Sequence, residues 1–269
     1  MATATAPVLS EAPLYVVAMA ARDRTRALVR GAVPRRRGRV AVARSSAEFQ
    51  APFRRAIVDA AVVDLGSPPA MLEVAFRLAR DFPSVAFVGI ASYRNADTPL
   101  IARCAGLDFV DVVAEGVDEG ALRPLVETHA YSTRFARMLH DPPRALALTS
   151  RLQLAAWRYI VGHAGRALAT TALARALGVT REHLSRAFAI GAAPTLKRAI
   201  DLVRLLAAAE LSKNPGLDSA DVATALGFTS PSHLSAAATR VAGTRIGSLS
   251  ALRGVDIIER FARGRGAGG

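Results

Sequence analysis

The sequence predicts an α/β unit followed by an all-α unit: a doubly wound, five-stranded parallel sheet, then a helical domain carrying two helix-turn-helix units. Three observations carry this. Apolar runs of strand length alternate with amphipathic stretches over the first 140 residues, the pattern of strands joined by crossover helices. Asp141-Pro142-Pro143 then breaks the chain, because two prolines stop a helix and stiffen the connection. Beyond it, one motif with Ala-Leu-Gly at its turn occurs twice.

Taken in order, the apolar run Leu14–Ala20 reads as a buried parallel strand. Asp23–Val33 follows as a helix and Val40–Ala43 as a second strand, with Arg35-Arg36-Arg37-Gly38-Arg39 as a solvated loop between them. Ser46–Val58 is helical, with Phe49, Phe53 and Ile57 on one face. Ala60–Leu65 is the third strand, and Pro68-Pro69 opens a helix to Arg80. Val85–Ile90 and Phe109–Val113 supply strands four and five around a short helix, Asn95–Cys104. One long helix, Asp118–Met138, closes the unit and offers a surface for dimerisation. Right-handed crossovers leave few topologies for such a chain. The expected boundaries are 1–12 as a disordered lead-in, 13–140, a linker at 141–150, 151–250, and a basic tail at 251–269 that frays from a short helix.

In the second unit, Leu146–Gly162 reads as a helix containing Trp157, the only tryptophan, as a core or contact residue. Ala172–Phe188 and Asp221–Ala238 are the two copies of the repeated motif; both carry His-Leu-Ser in the second helix. Ser219 is the expected cap of the later unit's first helix, and Gly227 its left-handed turn residue. Ser230-Pro231 is a cap followed by a first-turn proline. Two helices across a glycine-bearing turn make a helix-turn-helix, whose second member lies in a DNA major groove. Between the copies, Thr195–Ser212 is a helix with Leu196, Ile200, Val203, Leu206 and Ala207 as its apolar stripe.

Charge supports a polyanionic partner. The chain carries 35 Lys and Arg against 22 Asp and Glu, and residues 141–269 hold 17 of those cations against 8 acids. Such a surplus favours phosphate contacts through counterion release. Cys104 is the only cysteine, which excludes an internal disulfide and suits a reducing compartment. The N-terminus lacks the basic start of a signal peptide, and Leu14–Ala21 is too short to cross a bilayer. A cytoplasmic, nucleoid-associated protein without a membrane partner is expected.

The order and spacing of residues 13–130 resemble a response-regulator receiver domain of flavodoxin-like fold. The resemblance rests on the Val-Val-Asp64-Leu-Gly-Ser-Pro-Pro69 segment and on Ala105-Gly-Leu-Asp108 before the last strand. It implies Asp64 as the phosphoacceptor at the end of strand three. The supporting chemistry is mostly missing. The first strand ends in Ala20-Ala21-Arg22 before Asp23, the family's hydroxyl falls near Ile90 and Ala91 with Ser92 close, and its lysine falls near Val113. Without that cation and a full acidic pocket for Mg²⁺, developing phosphoryl charge is poorly stabilised. The unit therefore reads as a pseudo-receiver, with Asp64 as a strand-end turn residue.

Residues 151–249 resemble the AraC/XylS family of transcription regulators, on the pattern Arg204-Leu205 with Ala208 and Leu211, the Leu-Gly-Phe turn, and Ser-Pro-Ser-His-Leu. The resemblance implies two recognition helices in successive major grooves of double-stranded DNA. Its base-facing positions fall on Glu182, Ser185 and Arg186 in the first copy and on Ser232, His233 and Ala236 in the second, with Thr180, Arg181 and Ser230 beside them. The family's cation is replaced by Ala236 and an aromatic by Ala238, and alanine cannot make the bidentate guanine contact open to Arg186. The first unit is expected to read sequence, and the second to position the backbone through Ser232, Arg240 and Arg245. His183 and His233 have no partner at metal-ligand spacing, so no metal is expected. No phosphate loop or nucleophile elbow supports catalysis. The expectation is a non-enzymatic regulator without cofactor, a homodimer through its N-terminal unit, with DNA and RNA polymerase as partners. Phosphorylation at Asp64, or a small-molecule site at the strand ends near Asp23, Asp64 and Ser92, are the alternatives.

Overall fold

The computed structural model describes residues 12–94 and 97–266. Five strands form one all-parallel sheet in the order β2-β1-β3-β4-β5. They are β1 (Leu14–Met19), β2 (Gly38–Ala43), β3 (Ala60–Asp64), β4 (Ala86–Ala91) and β5 (Asp111–Ala114). This is the flavodoxin-like doubly wound order, which switches direction between β1 and β3. Helices α1 (Asp23–Ala32), α2 (Ser46–Arg55), α3 (Pro69–Asp81) and α4 (Thr98–Ala105) make the crossovers, and α5 (Leu122–His129) follows the last strand. Their apolar sides cover both faces of the sheet, which is why the strands read as unbroken apolar runs. Phe49, Phe53, Phe76 and Phe87 fill one face, and Val29, Leu122 and Val126 the other. The sequence-predicted start of the fourth helix at Asn95 and the lead-in before residue 12 lie outside the described residues.

The long helix expected over 118–138 is not continuous. A 3₁₀ turn at Glu119–Ala121 leads into α5, the backbone turns extended at Ala130 (φ −50°, ψ 138°), and α6 (Tyr131–Met138) starts afresh. Nothing in local propensity demands the break; tertiary hydrogen bonds do. Tyr131 N–H donates to the Asp59 carbonyl at 3.0 Å and Ser132 N–H to Asp59 Oδ1 at 2.9 Å, so Asp59 caps α6 from another element. The turn aims Tyr131, Phe135 and Leu139 into the core of the helical unit. The single helix expected over 118–138 is thus two helices, and the apolar side of α6 is covered within the chain.

The helical unit comprises α7 (Arg151–Gly162), α8 (Thr170–Ala176), α9 (Arg181–Phe188), α10 (Leu196–Leu211), α11 (Ser219–Ala225), α12 (Pro231–Ala242) and α13 (Gly254–Gly266). Helix α7 begins at 151, not 146, because Ser150 and Gln153 close a capping box there. Leu146 and Leu148 are buried ahead of it. Asp218, and not Ser219, caps α11, accepting from Ala220 and Asp221 N–H at 2.8 Å each. The helix expected in the tail is α13, which also buries Ile257, Ile258 and Phe261 in the helical core; the last residues, 267–269, lie outside the described residues.

The two units are docked. Arg166 reaches from the α7–α8 loop to Asp59 Oδ2 (2.8 Å) and Ser132 Oγ (2.5 Å). On another side, Gly216 N–H donates to the Asp81 carbonyl at 2.9 Å and Ser84 N–H to Asn214 Oδ1 at 3.0 Å. A side chain at Gly216 would meet the Phe82 ring at 2.6 Å, so only glycine allows this approach. Arg54 of α2 pairs with Asp221 of α11 at 2.9 Å, and Leu217 packs against the cores of both units.

Candidate nucleic-acid interface and the sheet corner

Each helix-turn-helix is built by one cap, one turn glycine and a short apolar row. In the first, Gly178 takes φ +67° after α8, and Thr180 Oγ1 accepts the His183 N–H at 3.1 Å to start α9. Leu184 and Phe188 are buried and pin α9 to the core. Those two anchors, four residues apart, leave Arg181, Glu182, His183, Ser185 and Arg186 exposed. Gln153 secures the end of the helix by donating Nε2–H to the Ala187 carbonyl at 2.9 Å.

The second unit repeats the scheme. Gly227 takes φ +68°, Ser230 Oγ accepts the His233 N–H at 3.1 Å, and Pro231 occupies the first turn of α12. Leu234, Ala237, Ala238 and Val241 are buried, while Ser232, His233, Ala236 and Arg240 face outward. Thr180 and Ser230, expected at the DNA, therefore each spend one acceptor site of the hydroxyl on the cap and keep the hydroxyl proton free to donate. His233 is held at its own helix start, with Nδ1 at 3.1 Å from Thr229 Oγ1 and its ring edge-on to Phe228. Arg240 is paired with Asp201 of α10 at 3.1 Å, and Arg245 is exposed at the start of the following 3₁₀ turn.

One positioning residue was not singled out as such from sequence. Arg204 on α10 donates to the Leu226 carbonyl at 3.0 Å and lies 3.9 Å over the Phe228 ring. It fixes the turn that aims α12. Its signal was the resemblance pattern itself, which marks Arg204 without saying what it holds.

At the carboxyl end of the sheet the structure brings together Asp64, Ser92, Glu115 and, unexpectedly, Arg22. Asp64 is fully buried. Its Oδ1 accepts from Arg22 Nη2 at 2.6 Å and from Gly66 N–H at 2.9 Å, and its Oδ2 accepts from Arg22 Nε at 3.1 Å. The same guanidinium donates to Ser92 Oγ at 2.9 Å and pairs with Glu115. The Asp64 hydrogen bond raises the Arg22 pKa above its ordinary value, so the guanidinium is charged at every working pH. Asp23 is absent from this group; it is exposed and pairs with Arg26.

These residues do not fit a Mg²⁺. Asp64 and Glu115 are the carboxylates of the corner, and Arg22 already engages both. Among the described residues, no group of three or more His, Cys, Asp or Glu is placed to hold a metal ion, and no helix is long and apolar enough to cross a membrane.

A helix-turn-helix domain family matches residues 173–250. Two solved structures are similar in part. One is a response regulator from Thermotoga maritima, 20% identical over 44% of this chain and 98% of that one, with a TM-score of 0.38. The other is full-length FixJ from B. japonicum, 12% identical over 86% of this chain and 97% of that one, also with a TM-score of 0.38. No curated protein matches the chain. With α8–α9 and α11–α12 as its paired units, the stretch 173–250 is an AraC-type helix-turn-helix domain.

Proposed function

We propose that this chain is a sequence-specific transcription regulator whose receiver-like unit works without phosphorylation. The helix-turn-helix domain supports DNA binding and transcription regulation. One observation carries the finer reading: the Arg22 guanidinium bonds both oxygens of Asp64, the phosphoacceptor position. A carboxylate buried under a fixed cation presents no free oxygen for attack on a phosphoryl donor, and its charge is already neutralised. Control then passes through dimerisation or through a partner or ligand bound to the N-terminal unit, with RNA polymerase as a further contact at the promoter. Incubation with acetyl phosphate and Mg²⁺ should leave the intact mass unchanged; a gain of one phosphoryl group, lost in Asp64→Asn, would sink this reading.

On DNA, the first unit reads bases and the second holds the backbone. Arg186 is exposed on α9 and able to fork onto a guanine, whereas Ala236 at the matching place on α12 is not. Arg240, anchored by Asp201, and Arg245 suit phosphate contacts. Arg186→Ala should cost about 1–3 kcal/mol on the selected site and relax specificity there. Equal weakening on selected and random duplexes would move the reading role elsewhere.

A further inference from the structure

A cleft of 190 Å³ lies between α6 and α7, lined by Thr133, Arg137, His140 and Arg158 with Val161 and Gly162. Two arginines, a histidine and a threonine line one small space, and no carboxylate is among the described lining residues. The Arg158 Nε is buried and has no hydrogen-bond partner. Other shielded arginines are met: Arg22 by Asp64, Arg166 by Asp59, and Arg204, whose Nε is likewise unbonded, by the Leu226 carbonyl and the Phe228 ring. Among the described residues, Arg158 has no such partner. A buried donor on a charged group is costly when it stays unmet.

We propose that this cleft binds a small phosphate-class anion, inorganic phosphate or a compact phosphomonoester. Two planar guanidiniums can each donate a fork of N–H groups to a tetrahedral oxyanion, and Thr133 adds a hydroxyl donor. The lining repels amines and metal cations. Its volume falls below the roughly 300–1,000 Å³ of sites for drug-sized ligands, which leaves room for a phosphoryl group and little else. Position gives the site a consequence. Arg137 stands on α6 and Arg158 on α7, the helices on either side of the proline-bearing linker, so a bound dianion ties the joint between the two units. This goes beyond the DNA-binding reading and does not depend on it. Arg158 lies about 140° around α7 from Gln153, which holds α9, taking 3.6 residues per turn. The cleft thus turns away from the recognition-helix side, which favours a free anion over a DNA phosphate.

The test titrates inorganic phosphate into the full-length protein at constant ionic strength, followed by calorimetry and thermal melting, with chloride as the control. A saturable heat and a rise in Tm specific to phosphate are expected. Arg158→Met, which keeps the aliphatic stem, should weaken phosphate at least tenfold, and Arg137→Gln should weaken it less. Arg151→Gln, on the same helix but outside the lining, should change nothing. In phosphate-free buffer Arg158→Met should melt at or above the parent temperature; a purely structural Arg158 would give a fall. No saturable binding by the parent, or equal binding by Arg158→Met, overturns the proposal. So does a loss of duplex affinity and of its salt dependence in Arg158→Met without any phosphate binding by the parent, since the cleft would then belong to the DNA backbone.

Discussion

Strand β3 has a buried aspartate at each end, and the two are used differently. Asp59 precedes the strand and Asp64 ends it; both are fully buried and each meets an arginine. Arg22 comes from the neighbouring strand end of the same unit and closes the corner where a phosphoacceptor would work. Arg166 comes from the other unit, 107 residues along the chain, and joins the two. Asp59 also serves two backbone groups where Asp64 serves one: its Oδ2 accepts the Tyr15 N–H at 2.8 Å and its Oδ1 the Ser132 N–H at 2.9 Å. A buried carboxylate needs a cation in either case. What it does for the protein depends on where that cation comes from: from within the unit it seals a site, and from outside it makes a joint.

The largest effect should come from breaking the joint. Asp59→Ala strands the Arg166 guanidinium and leaves the Tyr15 and Ser132 N–H groups unmet, so a loss of about 3–5 kcal/mol is expected. Arg166→Ala should approach that loss and should also separate the melting of the two units, visible as two transitions by calorimetry. A single transition with a loss under about 1 kcal/mol would show that the other docking contacts carry the joint. Arg22→Ala should cost less, about 2–3 kcal/mol, because the Arg22 side chain is 34% exposed and water can partly replace it. Its melting should remain coupled across the units. If Arg22→Ala uncoupled them and Arg166→Ala did not, the division of roles between the two ends would be reversed.

Neither pair was legible in the sequence. The strands were, because burial on both faces writes them as apolar runs such as Leu14–Met19 and Ala60–Asp64. So were the turn glycines 178 and 227 and the Ser230-Pro231 start, since each meets a purely local demand. Ion pairs across 42 or 107 residues leave no period or motif, and Arg22 read only as the wrong residue for an acidic pocket. The break at Ala130 was hidden for the same reason: helix-compatible residues run through it, and hydrogen bonds to Asp59 override them. The burial of α13 did have a signal, Ile257, Ile258 and Phe261 at helical spacing, but the glycine- and arginine-rich surroundings outweighed it. At the DNA face, the exposed positions of α9 followed from periodicity, whereas the engagement of Arg240 with Asp201 depended on how α10 crosses α12.

The smallest expected effect separates the two ends by pH. His163 follows α7, three residues before Arg166, and its Nδ1 lies 2.8 Å from the Tyr159 carbonyl. A carbonyl only accepts, so Nδ1 carries the proton of the neutral ring. Burial lowers the His163 pKa below its ordinary 6.5; the Tyr159 carbonyl opposes this, and the Arg166 charge adds to it. The unfolded chain therefore takes up a proton at a higher pH than the folded chain does. Stability should be unaffected above pH 6.5, fall as pH drops from there to the depressed folded value, and level off below it. Because the added charge lands beside Arg166, the loss belongs to the Asp59 end of β3; no histidine is among the groups bonded at the Arg22 corner. Urea unfolding at pH 7.5, 6.5 and 5.5 should show the decline in the parent and a shallower one in His163→Gln. Equal slopes for the two proteins would place the acid sensitivity elsewhere and remove this distinction between the two aspartates.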